Sequence, residues 1–179
     1  MNVLVAYASK YGSTEGIAER IAQVLNESGH EATLARASRA GSLESYDAFV
    51  IGSALYMFSW LREAKRFVES NTAGLAAKPV WLFSSGPVGT QKMDAQGRDV
   101  LENAGPRDLA ELQTKTHARD HRVFFGAFDH TKLTVGHRLI YAMPALKEVL
   151  PDGDFRDWPD IESWAKTIAA SLAAAEVPA

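Results

Sequence analysis

The amino-acid sequence predicts an α/β fold, a doubly wound five-stranded parallel sheet with helices on both faces. Short apolar runs alternate with amphipathic helical segments along the 179 residues, and the first run begins almost at the amino terminus. The intervals between the runs are long enough to hold a helix, which favours parallel pairing through right-handed crossovers. The length and the single alternating pattern predict one domain over residues 1–179.

The predicted strands are short runs rich in β-branched and aromatic residues. Val3–Ala8 and Asp47–Ser53 are apolar on both faces, which is typical of strands in the middle of a parallel sheet. Glu31–Ala35, Pro79–Ser84 and Arg122–Phe128 complete the five. Because parallel strands point the same way, the loops that follow them are expected at one edge of the sheet.

Apolar residues at helical spacing predict the helices between these strands. The first helix includes Ile17, Ile21 and Leu25 and ends near Gly29, a residue well suited to a helix carboxyl end. The second helix covers Trp60–Ser70, with its apolar residues on one face.

The second half of the chain supplies the closing helix and a long polar stretch. The closing helix runs from about 158 to 174, with Asp157 as its N-cap and Asp160 three residues later. The stretch Thr90–Asp120 is long for a loop, so we expect it to contain a helix. Arg98–Asn103 and Asp108–His117 are the two alternatives for that helix.

Composition excludes several classes of function. The formal net charge is −3 and no dense cluster of Lys and Arg occurs, which argues against nucleic acid as a partner. The absence of cysteine excludes disulfides, thiolate metal sites, iron–sulfur clusters and a cysteine nucleophile. The amino terminus lacks the features of a secretory signal, and no apolar stretch is long enough to span a membrane. We therefore expect a cytoplasmic protein.

The loop after the first strand has the composition of a phosphate site. Its hydroxyl groups and its glycine turn lead directly into a helix amino terminus, where free N–H groups and the helix dipole favour an anion. The Walker A and GxGxxG patterns are absent. Binding mainly by hydroxyls and neutral amides suits a dianionic phosphate monoester, with Lys10 adding charge. The same composition also occurs at plain strand–loop–helix junctions. The loop residues are Ser9, Lys10, Tyr11, Gly12, Ser13 and Thr14.

Two further loops follow strands and are expected beside the first. Ala54–Trp60 is apolar and aromatic, so its side chains either contact a flat ring or cover the core end of the next helix. Ser85–Thr90 contains Gly86, Pro87 and Gly89, which favour exposed backbone amides and carbonyls that could read the edge of a heterocycle.

Together these segments resemble the flavodoxin superfamily. The resemblance is carried by Ser9–Thr14 after an apolar strand, by Asp47–Tyr56 (DAFVIGSALY) and by Ser84–Gly89. It extends to the menaquinone-dependent protoporphyrinogen dehydrogenase branch through Gly126-Ala127 and through Asp157-Trp158 at the start of the last helix. The resemblance covers nearly the whole chain and implies a flavodoxin-like fold that binds FMN.

The resemblance also implies a role for each loop. Ser9 to Thr14 would hold the FMN phosphate, and the two later loops would flank the ribityl chain and the isoalloxazine. The flavin itself performs the chemistry, so no side chain is predicted to be catalytic and no metal is expected. The residues implied to flank the flavin are Ala54, Leu55, Tyr56, Met57, Ser85, Gly86, Pro87, Val88 and Gly89.

The function implied by this branch is an FMN-dependent oxidoreductase of porphyrin biosynthesis that oxidises protoporphyrinogen IX and passes electrons to a quinone. The alternatives are a flavodoxin electron carrier between redox protein partners and a flavin-free interaction module. Phe128–Leu150 departs from the branch, because Lys132, Arg138 and Lys147 are its only Lys or Arg residues. The small number of cations weakens the case for recognition of porphyrin carboxylates and for docking on an anionic membrane.

The same segment leaves one alternative open. Its apolar residues form either a quinone-facing or interfacial surface, with a peripheral contact to the inner face of the membrane, or a core-facing helix broken by Pro144. These residues are Leu133, Leu139, Ile140, Tyr141, Met143 and Leu146.

Two other sets of polar residues are weak metal candidates. His117 and His121 would share a helix face, but the sequence offers no evident third ligand, so we expect both to be solvated surface histidines. Four aspartates at 152, 154, 157 and 160 lack the glutamate that closes an EF-hand loop.

Overall fold

A computed structural model of the chain describes residues 1–133 and 150–176. Five parallel strands form the main sheet in the order β2-β1-β3-β5-β6, which confirms the predicted fold class. In chain order the strands are β1 (Asn2–Ala8), β2 (Glu31–Arg36), β3 (Ala48–Tyr56), β4 (Ser59–Trp60), β5 (Val80–Ser85), β6 (Asp120–Phe124), β7 (Ala127–Phe128) and β8 (Gly153–Asp154). The helices are α1 (Ser13–Glu27), α2 (Arg62–Ser70), α3 (Thr72–Ala76), α4 (Leu109–Thr116) and α5 (Trp158–Glu176).

The pleat of the sheet divides the core between two helical layers. In β1 the side chains of Val3 and Val5 pack with α1 and α5, whereas those of Leu4 and Ala6 pack with α2, α3 and α4. Successive side chains of a strand point to opposite faces, so a central strand must be apolar throughout. This explains why the VLVAYA run predicts a strand in the middle of the sheet.

The helix boundaries follow local capping signals. Gly12 precedes α1 with a φ of 90°, and Gly29 follows the helix with the same φ. Positive φ costs glycine little, so both residues suit helix ends. At α5 the carboxylate of Asp157 accepts a hydrogen bond from the Asp160 N–H at 3.2 Å, as the predicted cap requires.

Two predicted elements differ from the structure. β3 continues three residues past Ser53 and turns back through Met57 and Phe58 into β4, so the predicted loop after the third strand is a β-hairpin. The predicted fifth strand is two strands, because the chain leaves the main sheet after Phe124. There Gly126 donates to the Pro87 carbonyl, and β7 pairs with β8 in a separate two-stranded sheet.

The polar stretch Thr90–Asp120 contains α4, which corresponds to the second of the two predicted alternatives. Residues 98–103 form turns and a bridge instead. The Asp94 carboxylate organises this region by accepting hydrogen bonds from Arg98 and from the Gln96 N–H, and these bonds lower its pKa. α3 was not predicted from the sequence.

The candidate membrane or quinone surface is only partly described. Leu133 is half-buried. The remaining five apolar residues of that prediction lie at 139–146, outside the described residues. Among the helices of the described part, none is both long and apolar enough to cross a membrane.

Candidate ligand site at the carboxyl edge of the sheet

A cavity of about 300 Å³ lies at the carboxyl ends of the parallel strands. The strand order reverses between β1 and β3, and the loops on either side of that point diverge to leave a crevice. The cavity is lined by Ser9, Lys10, Tyr11, Ser13, Thr14, Ala54, Leu55, Tyr56, Met57, Ser85, Gly86, Pro87, Val88, Gly126, Ala127, Phe128 and Leu150. The structure therefore brings the three predicted loops to one site.

Only Gly12 and Gly89 of the predicted site residues do not line the cavity. Gly12 makes the turn that starts α1, and Gly89 has a φ of 128°. Another groove, of about 520 Å³, runs between residues 37–41 and α2 beside Arg62 and Arg66, and it contains none of the predicted residues.

The loop from Ser9 to Thr14 leaves polar groups available at the start of α1. The Gly12 N–H donates to Ser9 Oγ at 3.0 Å, which closes the turn. The Gly12 cap supplies no side-chain hydrogen bond to the first turn of the helix. The Thr14 hydroxyl is fully buried and has no partner in the described part of the chain. An unpartnered buried hydroxyl is costly, and a polar ligand that accepts a hydrogen bond from it would remove that cost.

Ser13 connects the loops that surround the cavity. Its Oγ lies 3.1 Å from Ser85 Oγ and accepts a hydrogen bond from the Ala127 N–H at 2.8 Å. Gly126 packs closely against both serines: a Cβ at this position would lie 3.2 Å from Ser13 Oγ and 3.3 Å from Ser85 Oγ. The Ser13 hydroxyl thus holds the loops together, and its backbone N–H belongs to the start of α1.

Lys10 is oriented towards two aromatic rings. Its Nζ lies 5.4 Å from the Tyr11 ring centroid and 4.8 Å from that of Tyr56. Partial burial and the neighbouring Tyr11 hydroxyl, which is hydrogen-bonded to Tyr56, raise the pKa of Tyr56 above its ordinary value. Lys10 and the two tyrosines thereby join the first loop to the hairpin across one side of the cavity.

Lys132 provides a second cation near the glycine turn. Its Nζ lies 3.8 Å from the position that a Cβ on Gly12 would occupy. The sequence prediction placed Lys10 near the phosphate and counted Lys132 only in a segment that departs from the protoporphyrinogen dehydrogenase branch. In the structure, the Lys132 ammonium lies beside Gly12, so two lysines are available near this turn.

The hairpin after β3 exposes apolar side chains while its base is buried. Met57 and Phe58 are 89% and 54% exposed, whereas Trp60 is buried and donates from Nε1 to Ser84 Oγ at 2.9 Å. Ser84 Oγ also lies 2.9 Å from His121 Nε2. Tyr56, Phe58 and Trp60 are the aromatic residues of the predicted ring-contacting segment, and only Tyr56 lines the cavity.

His121 is part of this buried support for the hairpin. Burial lowers its pKa from 6.5 to about 4, because the charged imidazolium is poorly solvated there. His117 lies at the carboxyl end of α4 and His121 lies in β6, so the two do not share a helix face. The expectation of a solvated surface residue is therefore wrong for His121.

The sequence prediction missed four lining residues, namely Gly126, Ala127, Phe128 and Leu150. Three of them follow β6, so the rule that ligands bind beyond the carboxyl ends of strands was the signal that could have found them. The prediction extended the fifth strand through Phe128, which hid this loop. Leu150 carried no comparable signal.

The fold and the cavity define a doubly wound α/β protein with a crevice at the switch point of its sheet, lined by the hydroxyl-rich loop before α1. The donor set fits a phosphate-bearing ring compound, because polar groups cluster at α1 while Leu55, Met57 and Val88 supply apolar lining. The family model for the flavodoxin domain matches residues 4–148, and the chain belongs to this family. Flavodoxin homologues bind FMN, which confirms the cofactor class predicted from the sequence.

Solved structures show the same fold at low sequence identity. A flavodoxin from the domain Archaea is 14% identical, with a TM-score of 0.61 over 96% of this chain and 99% of that one. A cysteine-to-alanine mutant of flavodoxin from Pseudomonas aeruginosa is 19% identical, with a TM-score of 0.56 over 96% and 99% of the two chains. Rubredoxin oxygen:oxidoreductase from Desulfovibrio gigas is 17% identical, with a TM-score of 0.61 over 97% of this chain and 36% of that one.

Proposed function

We propose that this protein is an FMN-dependent oxidoreductase that holds the flavin in the cavity between the loops after β1, β3 and β5. The observation that carries the proposal is the buried Thr14 hydroxyl, which has no partner in the described part of the chain and lies in the first turn of α1. When bound, FMN supplies the redox chemistry, and the protein binds and orients it.

The first loop is suited to the phosphate. The Thr14 hydroxyl and the N–H groups at the start of α1 would donate to the phosphate oxygens. The ammonium of Lys132, near Gly12, adds a positive charge beyond the helix dipole. Such a donor set favours FMN over riboflavin, because riboflavin lacks the phosphate.

The remaining loops are suited to the ribityl chain and the ring system. Leu55, Tyr56 and Met57 line one part of the cavity, and residues 85–88 line another. Phe128 and Leu150, which the sequence prediction did not include, add apolar surface that reduces water access. None of these side chains is proposed as a general acid or base.

The substrate and the electron acceptor are the more specific part of the proposal. The resemblance in sequence supports protoporphyrinogen oxidation with a quinone acceptor, and the apolar lining of the cavity is compatible with such ligands. Flavodoxin-like proteins typically interact with redox protein partners, and the exposed tip of the hairpin favours this carrier function as the second candidate.

Flavin retention tests the cofactor proposal. The purified protein is mixed with FMN or with riboflavin, excess flavin is removed, and the absorption spectrum is recorded. We expect stoichiometric retention of FMN and much weaker retention of riboflavin. Equal retention of both would contradict phosphate recognition by the first loop, and retention of neither would overturn the proposed function.

Acceptor assays then separate the two candidate functions. Protein loaded with FMN and reduced anaerobically is mixed with menadione, and protoporphyrinogen consumption is followed in a parallel assay. Rapid reoxidation by menadione together with protoporphyrinogen oxidation supports the enzyme. A protein that reacts with neither menadione nor protoporphyrinogen, but transfers electrons to a redox protein, supports the carrier.

A further inference from the structure

The tip of the hairpin, defined here as Met57 and Phe58, is the most exposed apolar feature beside the cavity. Both residues have positive φ values, 50° and 60°, as in the tight turns that normally favour Asn and Gly. Here two large apolar residues occupy these positions, and both are exposed. The turn therefore presents apolar side chains to solvent where small polar residues would form it more easily.

The hairpin holds this tip in a fixed position. Leu55 pairs with Trp60 and Tyr56 with Ser59 in the antiparallel ladder. The Phe58 carbonyl accepts a hydrogen bond from the Arg107 N–H at 2.8 Å. A rigid presentation reduces the entropy lost on binding, which suits a contact surface.

Two cations lie against aromatic rings of the hairpin although the whole chain carries a net charge of −3. The Lys10 Nζ lies 4.8 Å from the Tyr56 ring, and the Arg107 Cζ lies 5.5 Å from the Phe58 ring. Within residues 1–133 and 150–176, neither of these two cations has a carboxylate within salt-bridge distance.

The carboxylate next to Arg107 in sequence is already paired, because Asp108 lies 3.2 Å from the Lys65 ammonium. Lys10 and Arg107 thus present unpaired positive charge beside the tip of a protein with a negative net charge, and local charge governs the encounter with a partner.

We propose that the hairpin tip is the docking surface for a redox protein whose own cofactor edge is apolar and surrounded by carboxylates. This inference rests on the proposed function, because the tip borders the cavity proposed to hold FMN. Met57 and Phe58 form the apolar centre of the contact, and Lys10 and Arg107 form its cationic rim. Two cations are fewer than the clusters of about four to eight that mark anionic-lipid binding, so a protein partner fits this surface better than a membrane.

Chemical-shift mapping tests the surface directly. The isotope-labelled protein, as purified and again after FMN loading, is titrated at low salt with an acidic b-type cytochrome whose carboxylates surround the haem edge. The lysine-ringed mitochondrial cytochrome c is the probe of opposite charge. We expect the b-type cytochrome to shift resonances of residues 56–60 and of Arg107, with the effect decreasing as salt is added. Cytochrome c should leave those resonances unchanged.

Charge reversal with a matched control sharpens the result. Arg107→Glu should weaken binding of the b-type cytochrome about fivefold, because a rim charge that attracts the probe becomes repulsive. Arg119→Glu is the control, because it changes the net charge equally. It also removes an exposed guanidinium that lies 5.2 Å from an aromatic ring, that of Trp81. Arg119, however, lies at the amino end of β6. Binding by this variant should stay within about twofold of the unmodified protein.

A further variant tests the apolar centre of the proposed contact. Phe58→Gly removes the side chain while favouring the positive φ of the turn, so the hairpin should persist and binding should weaken several-fold. The amide spectrum of each variant verifies its fold.

Other results would overturn the inference. These are a preference for cytochrome c at the tip, equal loss of binding in Arg107→Glu and Arg119→Glu, concentration-dependent shifts at the tip without any probe, or tight binding to phosphatidylserine vesicles through the tip. Because the titration is also made without added flavin, a failure to retain FMN would refute the proposed function while leaving the docking result separately measurable.

Discussion

The loop after β1 and the hairpin after β3 both reach the cavity, but different interactions determine their conformations. The loop closes on itself, since Ser9 Oγ accepts from the N–H of Gly12 three residues later and α1 begins directly afterwards. The hairpin depends on distant residues, because Trp60 donates to Ser84 and Phe58 accepts from Arg107.

This difference explains why one segment is predictable from sequence and the other is not. Hydroxyl residues, a glycine and a following helical pattern specify the loop locally. The hairpin lacks the Asn-Gly signal of a tight turn, and Met57 and Phe58 read as loop or core residues. Tertiary contacts such as the hydrogen bond from Trp60 to Ser84 are needed to show that the segment is an ordered hairpin.

The largest expected effect comes from removing the anchor of the hairpin. Trp60→Ala should lower the free energy of unfolding by about 3–5 kcal/mol, because it leaves a cavity and removes the partner of Ser84. Phe58→Ala, two residues away but exposed, should change it by no more than about 0.5 kcal/mol. Urea denaturation measures both variants. Similar values would mean that the hairpin is not held by its buried base.

Replacing Thr14 should have opposite effects on the stability of the flavin-free protein and on its affinity for FMN. Thr14→Val removes a buried, unpartnered hydroxyl, so the flavin-free protein should be unchanged or up to about 1 kcal/mol more stable. FMN binding should weaken by about 1–3 kcal/mol if this hydroxyl donates to the phosphate. Thermal unfolding and fluorescence titration with FMN provide the two values.

Thr116 is the matched control for Thr14. It is equally buried, but its hydroxyl donates to the Leu112 carbonyl at 2.7 Å in α4. Thr116→Val should therefore destabilise the protein by about 0.5–1.5 kcal/mol and leave FMN affinity unchanged. If the two variants behave alike, Thr14 has no ligand role.

The sequence predicted the parallel sheet and most of the cavity lining because both follow from local or repeating patterns. Apolar runs on both faces identify β1 and β3, and the carboxyl-edge rule assembles the loops without any knowledge of tertiary contacts. The FMN prediction came from the resemblance, and the family assignment supports it.

The errors lie where long-range contacts decide the structure. β6 ends at Phe124 because the following backbone bonds to Pro87 and Phe155 rather than to β5, which no local pattern indicates. Burial of His121 against Ser84 also depends on two strands that are distant in sequence.

The smallest expected effect compares the two lysines near the first loop. Lys132→Gln should weaken FMN binding about two- to fivefold, since exposed charge pairs contribute at most about 1 kcal/mol. Riboflavin binding should not change, and the difference should disappear at high salt.

Lys10→Gln should instead affect FMN and riboflavin equally, because the Lys10 ammonium lies on the Tyr11 and Tyr56 rings. Fluorescence titrations with the two flavins at low and high salt make the comparison. A phosphate-selective loss in Lys10→Gln but not in Lys132→Gln would confirm the sequence prediction that Lys10 adds charge at the phosphate. It would also mean that Lys10 leaves the tyrosine rings when FMN binds, so that the contact between the first loop and the hairpin depends on the ligand.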